Sequence, residues 1–249
     1  MTEERTVYRL NQYLARCGIA SRRGAEDLIA EGVVSINGGK ADHPGFKVVA
    51  GEDRVTVRGT AVHPPGTQTL ILYKPKGVVC TRKDPEGRRT VFDLLPSRMG
   101  KRGIQTIGRL DYNSSGILIL TNDGDLHRFL EHPSSEIPRV YEIKAKGKLD
   151  DGKIKKLLSG IALEDGIGQA DKVEKGRYSS DITRFTLTLH EGRNREVRRL
   201  CEAVGLTVLD LKRTRYGPIE LAGLPSGKWR DLLQAEAKAL KKLMKKKGS

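Results

Sequence analysis

The chain is short of acid, of cysteine and of long apolar runs, and each shortage removes a class of function. Its 249 residues carry 31 Asp and Glu against 46 Lys and Arg, a formal charge of +15. An excess of that size repels itself unless a polyanion is the usual partner, which brings RNA, DNA or an anionic membrane surface forward. No apolar run nears the ~18 residues of a membrane span. The opening MTEERTVYRL has no apolar segment of the secretory kind. Three cysteines, Cys17, Cys80 and Cys201, stand far apart and form no C-x-x-C, so neither disulfides nor a structural zinc is expected. His127 and His132 make the one close histidine pair, at a spacing that does not stack on a helix face, so no metal is expected. These absences predict a cytoplasmic chain that does not engage a membrane, and nothing argues for more than a monomer.

What is present divides the chain. In 8–59, YRLNQYLARCG sets Leu10, Tyr13, Leu14 and Cys17 at helical spacing with Gly18 as a stop, and Ser21 can cap a second helix ending at Gly32. VVSIN, a Gly-Gly turn at 38 and 39, and DRVTVRG then read as a short hairpin. TAVHPPGTQT, 60–69, has two prolines and no charge and reads as a linker. From 70 to 234 strand-like runs (LILYKPKGVV, GILILT, RVYEIKAKG, RFTLTLHEG, LTVLDLKRTRYG) outnumber helix-like ones (DGDLHRFLEH, DGKIKKLLSG, RNREVRRLCEAVG). They lack a strict β-α-β rhythm, so an α+β fold on a mainly antiparallel sheet is expected. Residues 235–249 read as a basic tail.

The charge is concentrated. Arg9, Arg22 and Arg23 sit at the starts of the two first helices, where they oppose the helix dipole; an external phosphate or an ordinary solvated face explains them equally well. Residues 74–109 carry 10 basic against 3 acidic side chains, including Arg88 and Arg89 in the loop CTRKDPEGRRT. EGRNREVRRL puts Arg193, Arg195, Arg198 and Arg199 within seven residues. Both stretches read as RNA-contacting surface.

Between them lies IGRLDYNSSGILILTNDG, residues 107–124, with Arg109 and Asp111 at the mouth of an aliphatic strand. A carboxylate at such an edge needs a cationic partner to stay ionised, and one so held could act as nucleophile or base. LDYNSSG is also a good turn, with Asp, Asn and Gly where turns want them. On the residues alone, the structural turn is the better reading.

These segments resemble a known family. GRLDYNSSGILILTNDG is similar, over about eighteen contiguous residues, to the catalytic-aspartate motif of the ribosomal RNA pseudouridine synthases of the RsuA type. RLNQYLARCGIASRRGAEDLIAEGVVSING resembles the S4 RNA-binding module that precedes their catalytic domain. LYKPKGVVCTRKDPEGRRTVFDLLP and LHEGRNREVRRL resemble the catalytic domain's entry strand and last motif. The resemblance covers roughly 8–232 and implies an S4-like module followed by a pseudouridine-synthase domain. It makes Asp111 the catalytic aspartate and Tyr141 the tyrosine against the target base. Arg198 becomes the partner of the carboxylate, Val197 the apolar residue under the base, and Arg109 a residue near the flipped nucleotide or its backbone. Arg198 and Arg199 are adjacent, so only one can face inward from a helix; the motif selects Arg198.

The expected activity is isomerisation of a uridine in ribosomal RNA without cofactor. The large subunit is preferred because the overall pattern and the basic tail look more like that branch. A small-subunit enzyme and a non-catalytic RNA-binding assembly factor are the alternatives.

Overall fold

The computed structural model describes residues 7–100 and 103–247. They form two compact units, the first taking in the described residues up to Gln68 together with Pro96–Gln105, the second the rest.

In the first unit, helix α1 (Leu10–Arg16) buries Leu10, Tyr13 and Leu14, and α2 (Arg22–Ala30) buries Ala25 and Ile29. Ser21 starts α2 by accepting the Gly24 N–H at 3.0 Å, which satisfies one of the helix's unpaired donors. Strand Val34–Ile36 pairs with Val55–Val57 on one side and Gly39–Lys40 on the other. The tight turn is not the glycine pair expected at 38 and 39. It is formed by Asn37 and Gly38, at φ 51° and 86°, while Gly39 enters the strand. A two-residue turn that matches strand twist needs positive φ at both positions, and Asn tolerates this better than most residues. The stretch read as a linker also begins later than expected. Thr60–Ala61 pairs with Thr56–Val57, and Val62 is buried with its carbonyl accepting the Tyr13 hydroxyl at 3.2 Å.

The second unit is built on a sheet. Its strands are β1 (Thr69–Lys74), β2 (Ser115–Thr121), β3 (Arg139–Lys146), β4 (Lys172–Ser179), β5 (Ile182–Leu189), β6 (Thr207–Tyr216) and β7 (Trp229–Asp231). Along the main path the order is β4-β5-β3-β6-β2-β1-β7, antiparallel except where β6 meets β2. β4 has no counterpart among the expected strands, because it is an exposed edge whose side chains carry no apolar alternation. Helices α3 (Gly124–Glu131), α4 (Asp151–Ser159), α5 (Glu196–Ala203) and α6 (Gln234–Lys247) accompany it.

Strand alternation gives this unit its cores. Tyr141, Ile143 and Ala145 of β3 share a buried face with Phe185 and Leu187 of β5 and with Val197, Leu200 and Cys201 of α5. A second cluster joins Ile71, Ile117 and Ile119 to Leu126 and Leu130 of α3. Leu240 of α6 is buried in that second cluster, with Met244 against it. The segment expected as a basic tail is therefore a packed amphipathic helix; residues 248 and 249 of it lie outside the described residues.

The parallel junction fixes where β2 begins. Gly116 has φ +119°, and a Cβ there would stand 2.1 Å from the Arg213 carbonyl oxygen and 2.5 Å from its nitrogen. Only glycine lets β2 approach β6 so closely, and the turn at Asp111 directly precedes this contact.

Candidate active site

Asp111 sits in a turn whose backbone is tied down at every carbonyl. The Asp111 oxygen accepts the Ser114 N–H at 3.0 Å, and the Tyr112 oxygen accepts the Gly77 N–H at 2.9 Å. Arg198 Nη2 donates to the Asn113 oxygen at 3.2 Å, and Lys74 Nζ donates to the Ser114 oxygen at 2.8 Å. Lys74 also donates to the oxygens of Asp111 at 2.9 Å and Pro75 at 3.0 Å. On the other flank the Cys80 thiol exchanges contacts of 3.4 Å with both the N–H and the carbonyl of Leu110. Burial pushes that thiol's pKa up, which keeps it a protonated brace.

Lys74 is fully buried at the end of β1. Burial lowers its pKa from 10.5 to about 8, against the pull of Cys80 and Asp111. Three carbonyl dipoles replace the water around its ammonium. Sequence reasoning missed it, since a lysine ending a strand is ordinarily solvated; its one signal was its place inside the aliphatic run LILYK, immediately before proline.

The Asp111 carboxylate meets two guanidinium groups, Arg198 Nε at 3.6 Å and Arg195 Nη1 at 3.7 Å from Oδ2. These are charge contacts rather than completed hydrogen bonds; Arg198 Nε is buried with no hydrogen-bond partner among the described residues. Arg195 reaches the carboxylate from the N-cap of α5 with φ 48°, a left-handed conformation uncommon outside glycine. Arg199 turns away and grips Asp165 with two bonds of 2.7 and 2.8 Å.

These groups rim a cleft of about 380 Å³, lined among others by Arg109, Asp111, Ser114, Tyr141, Val197 and Arg198. Tyr141 and Val197 are both buried, so an aromatic ring and an aliphatic side chain line the same hollow as the carboxylate. Two further lining residues, Arg139 and Arg213, were not anticipated. Arg213 donates twice to the Ile117 oxygen, at 3.0 and 2.8 Å, and Arg139 donates to the His190 oxygen at 2.7 Å and the Tyr216 hydroxyl at 3.0 Å. Both lie against the Tyr216 ring, so two cations are held beneath the cleft by neutral groups.

The remaining expected residues are placed differently. Arg193, read as an RNA contact, commits its guanidinium to Glu191 at 2.8 Å, Glu196 at 3.3 Å, Asp165 at 3.4 Å and the Ile167 carbonyl. It fastens the start of α5 rather than presenting a free cation. Arg88 binds Asp84 through two side-chain bonds of 3.0 and 2.8 Å, and Arg89 is exposed. Arg9, Arg22 and Arg23 are exposed in the first unit. Among the described residues no group of three or more His, Cys, Asp or Glu is placed to hold a metal, and no helix is long and apolar enough to cross a membrane.

Two family models match the chain. Residues 68–203 match the RNA pseudouridylate synthase family and residues 9–55 the S4 domain. The chain is 44% identical over 245 residues to "Ribosomal large subunit pseudouridine synthase B" of Escherichia coli (strain K12), covering 95% of this chain and 83% of that one. It is 44% identical over 231 residues to the protein so named in Yersinia pestis, covering 90% and 72%. A solved structure described as "Crystal structure of pseudouridylate synthase" superimposes with a TM-score of 0.65 at 24% identity, over 93% of this chain and 99% of that one, a likeness of fold.

Proposed function

Because the chain belongs to the RNA pseudouridylate synthase family, with an S4 domain ahead of the catalytic one, and is thus an isomerase, we propose that it converts a uridine of large-subunit ribosomal RNA to pseudouridine, with Asp111 as the reacting group. The choice of RNA follows the relatives' names and their identity over nearly the whole chain. The role of Asp111 is supported by one observation above others. The Asp111 carboxylate faces two arginines at the rim of a cleft that also holds a buried tyrosine.

The reaction breaks the bond from ribose C1′ to N1 of the base and forms one from C1′ to C5. C5 loses a proton and N1 gains one, so atoms and electrons balance without an external oxidant, reductant or cofactor. Whether a carboxylate attacks the sugar, adds to the base or removes a sugar proton, it must be ionised and close to the glycosidic bond. Arg198 and Arg195 set positive charge beside the carboxylate, and the pinned turn holds it in one place, so little reorganisation is needed when charge develops. The uridine must leave its stack to reach the cleft. There the Tyr141 ring faces the base, Val197 supplies an apolar floor, and Arg109 at the entrance positions the nucleotide or its phosphate. The S4 domain and the basic surface hold the surrounding RNA through its backbone, and the chain works as a cytoplasmic monomer.

The test is to map pseudouridines in ribosomal RNA from cells with and without the protein. Loss of one large-subunit site is expected. Loss of a small-subunit site instead would move the substrate to the other subunit, and an unchanged map would remove ribosomal RNA as the substrate.

A further inference from the structure

Asp111 borders two hollows. The first is the cleft that holds Tyr141. A second, of about 370 Å³, shares Arg109, Leu110 and Asp111 with it and is otherwise lined by different residues, among them Lys83, Arg88 and Tyr112. Nothing in the proposed chemistry uses it.

Tyr112 is its most telling residue. The residue is 44% exposed although it directly follows Asp111 in a turn whose carbonyls accept five hydrogen bonds. The turn uses residue 112 only through its carbonyl, which accepts the Gly77 N–H. The side chain is thus not required to shape the turn, and a small or polar residue would serve the backbone equally well. A lone exposed aromatic is ordinary on a protein surface. This one lines a hollow with Lys83 and Arg109, both exposed, and the reacting carboxylate borders the same space. The opposite wall is ordered. The Thr81 hydroxyl donates to the Lys83 carbonyl at 2.9 Å, and Arg88 is clamped to Asp84.

We propose that this hollow receives the nucleotide next to the target uridine, its base stacked on the Tyr112 ring and its phosphate met by Arg109 and Lys83. Drawing a uridine out of an RNA stack strips the neighbouring base of one stacking partner. An aromatic face beside the turn supplies a replacement on the side away from the cleft, so extraction costs less. Every base has a π-face, so this subsite tolerates any base and acts on affinity rather than on sequence choice. A nucleotide is the occupant the chemistry favours, since an aromatic plane beside two cations is complementary to a base with its phosphate.

The inference rests on the RNA substrate read above, and its test keeps the two apart. Pseudouridine formation on a large-subunit ribosomal RNA transcript is measured for the wild type, Tyr112→Ala and Tyr112→Phe. Tyr112→Ala is expected to lose roughly 10- to 100-fold in kcat/KM, chiefly through KM, and Tyr112→Phe to recover most of it because the ring remains. Both variants should unfold at the wild-type temperature, since the turn is made by backbone. In parallel, binding of a ten-residue oligouridylate is measured by anisotropy, with the same order of the three proteins expected. A wild-type protein inactive on the transcript would overturn the ribosomal substrate, while the oligouridylate series would still decide the stacking. Equal behaviour of Tyr112→Ala and wild type in both assays, or a Tyr112→Phe as weak as Tyr112→Ala, would overturn the subsite.

Discussion

The turn 111–114 and the loop 81–89 border the same hollow and are fixed in opposite ways. The turn is held by its carbonyls, with donors from Lys74, Gly77, Ser114 and Arg198. The loop is held largely by side chains, above all the Asp84–Arg88 pair, whose guanidinium keeps the Asp84 carboxyl down at about 2. Pinning the backbone leaves the turn's side chains unspent, so one carboxylate and one aromatic ring project from a rigid support. Pinning by side chains spends the charges that do the holding. A point of chemistry needs the first arrangement, whereas a surface that follows a phosphate backbone tolerates the second.

The comparison breaks most severely at Gly116. Tyr112 and Asp111 depend on the close approach of β2 to β6, and any Cβ at Gly116 strikes the Arg213 backbone. Gly116→Ala is expected to cost about 4 kcal/mol or more, read as a collapse of the denaturant midpoint; a midpoint near wild type would show that the approach is not needed.

Lys74→Met comes next. Three carbonyls lose a donor, and that of Asp111 keeps another in the Ser114 N–H, so a loss of about 2–4 kcal/mol and a fall in kcat of at least roughly 10-fold are expected, even where the variant is fully folded. The pH dependence has a defined sign. The folded Lys74 titrates near 8 rather than 10.5, so between these values the unfolded chain binds more protons. Its contribution therefore makes stability rise with pH across that window. Subtracting the Lys74→Met curve from the wild-type curve isolates that rise, and a fall there would refute the assignment.

The adjacent arginines separate chemistry from scaffolding more finely. Arg198→Ala should lower kcat roughly 100-fold, since it removes a cation from the carboxylate and a donor from the turn. Arg199→Ala loses only a partly exposed pair with Asp165 and should leave kcat close to wild type. The reverse order in steady-state kinetics would mean that the helix face was misjudged. Arg88→Ala should leave kcat closest to wild type and show itself as a lowered denaturant midpoint, because it strips the partner from an Asp84 side chain that is only 4% exposed; an unchanged midpoint would show that the pair does not hold the loop.

The candidate site was located in the sequence by family resemblance and not by residue chemistry, since GRLDYNSSG alone reads as a turn; the resemblance was carried by that stretch and NREVRRL, with Tyr141 between them in RVYEI. Helix periodicity explains why Arg198 and not Arg199 can reach Asp111. The supporting cations were not legible. Lys74, Arg139 and Arg213 occupy strand positions where a charged side chain usually signals solvent, and their partners are carbonyls from distant segments. Burial of this kind is created by the sheet order, and the β6–β2 junction leaves no mark on either strand except Gly116. The two helices of the first unit were legible from helix spacing and the Ser21 cap. The return of residues 96–105 to that unit was not, because a discontinuous unit has no local signature. α6 looked like a tail because its lysines outnumber the few apolar positions, such as Leu240, that dock it.

The central claim is that one carboxylate, held in place by backbone and faced by two arginines, performs the isomerisation. Asp111→Asn tests it most directly, by pseudouridine formation on the ribosomal RNA transcript with folding checked by circular dichroism. A folded protein that still binds RNA but has lost at least roughly 1,000-fold in rate is the expected result. A folded variant working at the wild-type rate would contradict it.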